Sequence, residues 1–221
     1  MPSRAVLPPP PPPAAIRSWP DRPSLLADRA AVLGELVRLH VGGGRLALLL
    51  TWGGVAALGW AAVGAALIAF QESLDPISDL VAVVLAFAGI GLLVPAAVFF
   101  GLGAARARKV RVLLTAWGAL DRDPDRDPLL RMPGLGLAWL LISYALCAAG
   151  LFTCVAVPAS ATPGEDTYGL VVLGMGAGLC VWITGLTGAV TALSHRRWVL
   201  RVLTAPAPAP VRQGEAAGQA G

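Results

Sequence analysis

The sequence predicts an all-α, polytopic membrane protein: a four-transmembrane-helix bundle with flanking amphipathic interfacial helices and disordered termini. Three observations predict it. Of 221 residues, 56% are apolar and only 14% are charged, with a mean hydropathy of +0.70. A soluble domain carries about 45–50% and about 25%, so this chain lacks the residues for a polar shell. The apolar residues also collect in four runs without Asp, Glu, Lys, Arg or His. Finally, the basic residues sit on alternate sides of those runs and never on the others.

The runs are 46–70, 80–104, 135–157 and 169–193, each of 23 to 25 residues. About 20 apolar residues carry a helix across the hydrocarbon core at about 1.5 Å each, so every run is long enough with modest tilt. Barrel strands would show about 10 residues of alternating polarity, and nothing here alternates. The loop after the first run holds Glu72, Asp75 and Asp79, and the loop after the third holds Glu165 and Asp166. Neither has a basic residue; all seventeen Arg and Lys lie in the other three segments. Positive charge near span ends stays in the cytoplasm. The expected location is therefore the cell (plasma) membrane, multi-pass, with N- and C-termini cytoplasmic. The first run starts too far from the N-terminus, and is too long, for a cleaved signal.

Residues 1–23 hold six consecutive prolines, Pro8 to Pro13, a stiff polyproline rod read as a disordered Pro-rich spacer, with docking to a partner as the other reading. Residues 24–41 form an amphipathic interfacial helix. Leu26, Ala30, Leu33 and Val37 recur at helical spacing, and Asp28, Arg29, Glu35 and Arg38 fall elsewhere. Ser24 is placed to cap this helix, and Gly42, Gly43 and Gly44 end it. The helix suits the inner membrane surface or packing against the 105–134 segment.

That segment opens with a basic amphipathic extension. Val110, Leu113, Leu114 and Trp117 share a face, and Arg108, Lys109 and Arg111 form its basic end. A repeated Asp-Arg-Asp-Pro follows over 121–128. Alternating Asp points to calcium, but Arg126 stands where an EF-hand needs Gly, and Met132 where it needs Glu. The segment reads as a solvated loop. Residues 194–204, with Arg196, Arg197, Trp198 and Arg201, form a basic interfacial anchor. The Ala/Pro/Gly tail, 205–221, reads as disordered.

The two halves share a plan. RKVRVLLTA at 108–116 resembles RWVLRVLTA at 197–205, and a shift of 89 residues aligns Ala88-Gly89 with Ala177-Gly178. A duplicated hairpin explains this, as does the common charge rule. Small residues permit close helix approach in lipid. They form stripes at Gly53, Ala57, Ala61, Ala65 and Ala69, at Ala97, Gly101 and Ala105, and at Gly174 and Gly178. Internal packing explains most of them, and the first stripe is the best candidate for an oligomer seam. Pro95 removes a backbone donor inside the second run and is expected to kink it.

The chemistry expected of the chain is set by what is missing. No ionisable residue lies inside a run, so proton-coupled carriage has no carrier group. Cys147, Cys154 and Cys180 lie inside runs, form no CxxC, and are far in sequence from His40 and His195. The VGGGR stretch at 41–45 lacks the lysine of a phosphate loop. The sequence therefore offers no catalytic, cofactor-binding or metal-ligating set, and no enzyme is expected. The basic residues flank spans and form no aromatic-interleaved patch, which excludes nucleic acid as a partner. The expected function is a non-enzymatic accessory, scaffold or regulatory membrane protein. Its partners are the lipid bilayer and either a second copy or other membrane proteins. The alternative is an oligomeric pore or permease subunit, with Thr184, Thr187 and Thr191 on one face as a polar path. An Arg-, Ala-, Gly- and Pro-rich composition points to a GC-rich bacterial genome.

Overall fold

The computed structural model describes residues 7–13, 19–72, 75–121, 123, 126–131, 133–162 and 167–204. The 205–221 tail, the acidic Glu165 and Asp166, and positions 1–6 and 14–18 lie outside the described residues. The described residues are helical and contain no strand. Five α-helices follow in order: α1 (Arg22–Val41), α2 (Gly43–Glu72), α3 (Pro76–Gly118), α4 (Pro133–Ser160) and α5 (Tyr168–Thr204). A short 3-10 helix, Asp127–Arg131, precedes α4. Four helices are long and apolar enough to cross a membrane, one for each run.

The helices outrun the apolar runs. α3 has 43 residues and α5 has 37, about 64 Å and about 55 Å of rise against a hydrocarbon core of about 30 Å. The basic stretches after the second and fourth runs are thus continuations of α3 and α5, projecting together at one end. No proline or glycine pair stops them there, and α3 stays helical through Pro95.

Two packing regimes divide the molecule. Beyond the first turn or two at the charged end, where Leu46, Leu49 and Trp139 are buried, the buried positions of the apolar runs are small: Gly53, Gly59, Gly64, Ala66, Ala82, Gly89, Ala96, Gly178 and Gly185. Large side chains there face outward, as do Leu58, Val84, Phe87 and Phe152, each at least 60% exposed. Lipid gives helices no reason to hide leucine and every reason to bring backbones close. At the projecting end the pattern reverses. Leu33, Leu36, Val37, Val41, Val110, Leu114, Trp117, Trp139, Trp198 and Val199 form a conventional water-excluding core.

Each hairpin closes on a glycine crossing. A Cβ on Gly89 would lie 2.6 Å from the Gly59 carbonyl oxygen, and one on Gly178 would lie 2.8 Å from that of Gly150. Gly89 and Gly178 are the pair that the 89-residue shift superposes. The hairpins join through α2 and α5, giving a packing order of α3, α2, α5, α4. Gly53 receives Thr184 across that central contact, and Gly176 makes room for the Trp60 indole. Trp60 Nε1 then donates to the Val172 carbonyl at 3.2 Å. The glycines of the first and fourth-run stripes are therefore used inside the molecule, whereas Gly101 faces open space.

α1 departs from the simplest expectation. Its cap is Asp21, whose carboxylate accepts from the Ser24 N–H at 2.9 Å; Ser24 is the third residue of the helix. Pro23 sits in the first turn, where its missing N–H costs nothing, so the helix begins before it. Leu33, Leu36 and Val37 are fully buried against α3, α5 and the 3-10 helix. Only Gly42 interrupts the chain: its φ and ψ of −60° and 151° are extended, and a Cβ there would collide with the Arg38 carbonyl. Gly43 and Gly44 already belong to α2.

Candidate functional site at the charged end

The polar chemistry of the chain converges where α1 meets the projecting ends of α3 and α5. Two features organise it. The first is an ion pair. Arg29 Nη1 lies 2.6 Å from Asp127 Oδ1, and Nη2 lies 3.4 Å from Oδ2. Both side chains are almost fully buried, at 1% and 3% exposure. Asp127 belongs to the second Asp-Arg-Asp-Pro unit, expected to be solvated. Its carboxylate instead neutralises a guanidinium that α1 carries into the core. The chain prepares it locally: the Arg126 N–H donates to Asp123 Oδ1 at 3.2 Å and the Asp127 N–H donates to the Asp123 carbonyl at 2.9 Å. That turn starts the 3-10 helix and aims Asp127 inward.

The second feature is a lateral cavity of about 460 Å³ between α3 and α5. Its walls include Arg111 and Thr115 from α3, Val190, Leu193, Ser194, His195, Arg197, Trp198 and Arg201 from α5, and His40 from α1. Positions 190, 193, 194, 197 and 201 fall on one face of α5 because they follow helical spacing. No carboxylate is among the lining residues. The ring centroids of His40 and His195 are 6.3 Å apart, and His195 stacks on Trp198 at 5.9 Å.

The hydrogen bonds fix the state of both histidines. Ser194 Oγ donates to the Thr191 carbonyl at 2.9 Å, so it meets His40 Nε2, 3.4 Å away, as an acceptor. His195 Nε2 donates to the Leu130 carbonyl at 3.3 Å. Each ring thus carries its proton on Nε2, and each keeps a buried Nδ1 without a partner. Burial pushes the His40 pKa down to about 3, helped by Arg45, His195 and Arg111. Burial also lowers that of His195, partly opposed by its hydrogen bond to Leu130. Both rings are neutral at pH 7.

Tryptophans tie the surrounding elements together. Trp139 Nε1 donates to the Val41 carbonyl at 2.9 Å, satisfying the end of α1. Trp198 Nε1 donates to the Leu114 carbonyl at 3.1 Å, drawing α5 onto α3. Trp117 Nε1 donates to the Pro9 carbonyl at 3.1 Å, so part of the proline tract lies against the same core.

The threonine hydroxyls of α5 are spent on their own helix. Thr184, Thr187 and Thr191 donate to the carbonyls of Cys180, Ile183 and Thr187 at 2.8 Å, one turn back on their own helix. Cys147, Cys154 and Cys180 are free and half-buried at helix contacts. Among the described residues no group of three or more His, Cys, Asp or Glu is placed to hold a metal.

The charge rule puts the segments of His40 and His195 on the same side, but nothing in the sequence brings the two rings together, since 154 residues separate His40 from Ser194 beside His195. One signal was present: the chain has two histidines, each within a few residues of a span end on the basic side. Comparison with protein-family models, curated proteins and solved structures finds no match to this chain.

Proposed function

We propose that the chain is an integral protein of a bacterial plasma membrane, with both termini and the charged end in the cytoplasm. It acts as a non-enzymatic accessory or regulatory partner of other membrane proteins. The orientation follows from the complete segregation of basic residues. The observation that carries the functional reading is the division of chemistry. The spans hold no ionisable Asp, Glu, Lys, Arg or His, while a folded cytoplasmic platform made from α1 and the ends of α3 and α5 holds both histidines, the buried Arg29–Asp127 pair, the cavity arginines Arg111, Arg197 and Arg201, and Trp117 and Trp198. A platform of this kind presents a surface to partners. The pore or permease alternative draws less support, because the threonine hydroxyl protons are committed to the backbone of α5.

The test is mild-detergent capture of the tagged chain from native membranes, followed by native mass spectrometry. A stoichiometric second protein is expected. A homo-oligomer with nothing else bound would overturn the accessory reading, and liposome flux assays would then test the pore.

A further inference from the structure

We propose that the cavity between α3 and α5 binds a phosphate-bearing anion, either the headgroup of an anionic phospholipid or a free phosphate. The inference deepens the reading above and rests on its placement of the charged end at the cytoplasmic membrane surface. Arg111, Arg197 and Arg201 converge on the cavity from two helices, with no carboxylate in the wall. None of the three forms a salt bridge among the described residues. Guanidinium forks match the geometry of phosphate oxygens and hold them through charge-assisted hydrogen bonds.

Two histidines among the lining residues supply the second observation. His40 and His195 are 1% and 5% exposed, and both retain a buried, unpartnered Nδ1. Buried polar atoms in folded proteins are nearly always satisfied. Free hydrogen phosphate carries a hydroxyl that donates to such a nitrogen, whereas the phosphodiester of a headgroup offers only acceptors. Alternatively, an anion that offsets the charge of Arg45 and Arg111 favours protonation of the ring, which then donates to a phosphate oxygen.

The rim fits a lipid. Val190 and Leu193 line the cavity on the side toward the apolar run, and they are 58% and 43% exposed. Arg197 and Arg201 follow one and two turns later on the same face. Acyl chains lying along Val190 and Leu193 would place a headgroup at the arginines, in the position of a basic pocket between transmembrane helices.

The test uses the full chain in phosphatidylcholine nanodiscs doped with phosphatidylglycerol, read by native mass spectrometry after detergent release. The wild type is expected to retain phosphatidylglycerol in fixed stoichiometry. Arg197→Gln should weaken retention about tenfold, as loss of one charge-assisted hydrogen bond does. Arg196→Gln makes the same charge change outside the cavity and should shift it less than about threefold at physiological salt. Both positions are exposed, so neither substitution threatens folding. If inorganic phosphate displaces the lipid, or stabilises the chain in pure phosphatidylcholine with the same dependence on Arg197, the site still binds phosphate and its source is free phosphate. No retained lipid and no phosphate effect would overturn the proposal, as would equal losses in the two variants. Protease protection in oriented vesicles measures the side of the charged end separately. A failed site with a protected topology therefore leaves the membrane reading standing.

Discussion

The buried pair Arg29–Asp127 should respond to substitution far from additively. It joins α1 to the 3-10 helix across 98 residues of chain, and both groups have left water almost completely. Replacing Asp127 by Leu leaves a guanidinium buried without its counter-charge, and replacing Arg29 by Met strands the carboxylate. Breaking such a pair from one side costs about 3–5 kcal/mol. If the two losses were independent, the double variant would cost about 6–10 kcal/mol. It should instead fall within about 1 kcal/mol of the wild type, because an apolar pair of similar volume avoids the desolvation that the ions incur. A cavity of about 340 Å³ beside Arg29 and Asp127 gives the larger leucine at position 127 room. The assay is a denaturant titration in detergent, followed by tryptophan fluorescence, since Trp117, Trp139 and Trp198 all lie in the core that α1 completes. Single substitutions costing under about 1 kcal/mol would refute the reasoning, as would a double variant equal to the sum of the singles. Either result would mean that water reaches the pair and that α1 is held by its leucines alone.

Other outcomes follow from the same geometry. Gly89→Ala and Gly178→Ala should each destabilise a hairpin by about 1–3 kcal/mol, the usual cost of overpacking, because a methyl at either site meets backbone on the opposite helix. Gly91→Ala, with open space around it, should be neutral or slightly stabilising, and thermal unfolding in detergent separates them. Trp139→Phe leaves the Val41 carbonyl buried without its donor and should cost about 1–3 kcal/mol by the same assay. Acidification should destabilise the chain. His40 is neutral when folded down to about pH 3 but takes up a proton below pH 6.5 when unfolded. The unfolded state therefore binds more protons between those values, stability falls as pH drops through that window, and nothing changes above it. From pH 7 to pH 5 the loss is roughly 2 kcal/mol, with Arg45, Arg111 and His195 facing the ring. In His40→Gln the same scan should be flatter.

The four long apolar helices were legible because a lipid solvent would impose the same demand on every residue of a run. Phe87 and Phe152 are outside and Gly89 and Gly178 inside for that single reason. The charged end obeys no such local rule. Arg29 reads as a solvated position on an amphipathic helix until Asp127 is known to meet it. Asp127 in the second Asp-Arg-Asp-Pro unit reads as solvated until Arg29 of α1 meets it. The side-chain pattern of α1 was correct at Leu33 and Val37, but a membrane surface and a protein surface ask for the same stripe. What α1 packs against was therefore undetermined. The cavity was hidden for a related reason. Arg111, Arg197 and Arg201 satisfy the charge rule for orientation, and that explanation is complete without a ligand.

The contact between Pro9 and Trp117 carries a consequence for any protein that recognises the proline tract. The tract is covalently joined to the surface it already occupies, so it faces Trp117 at an effective local concentration of the order of millimolar. A proline-binding module must compete with that concentration before it gains any affinity of its own. Weak encounters are filtered out, and a module that succeeds uncovers an indole donor beside the core at the charged end. Binding at the N-terminus and exposure of the helix ends become one event, read out together or not at all.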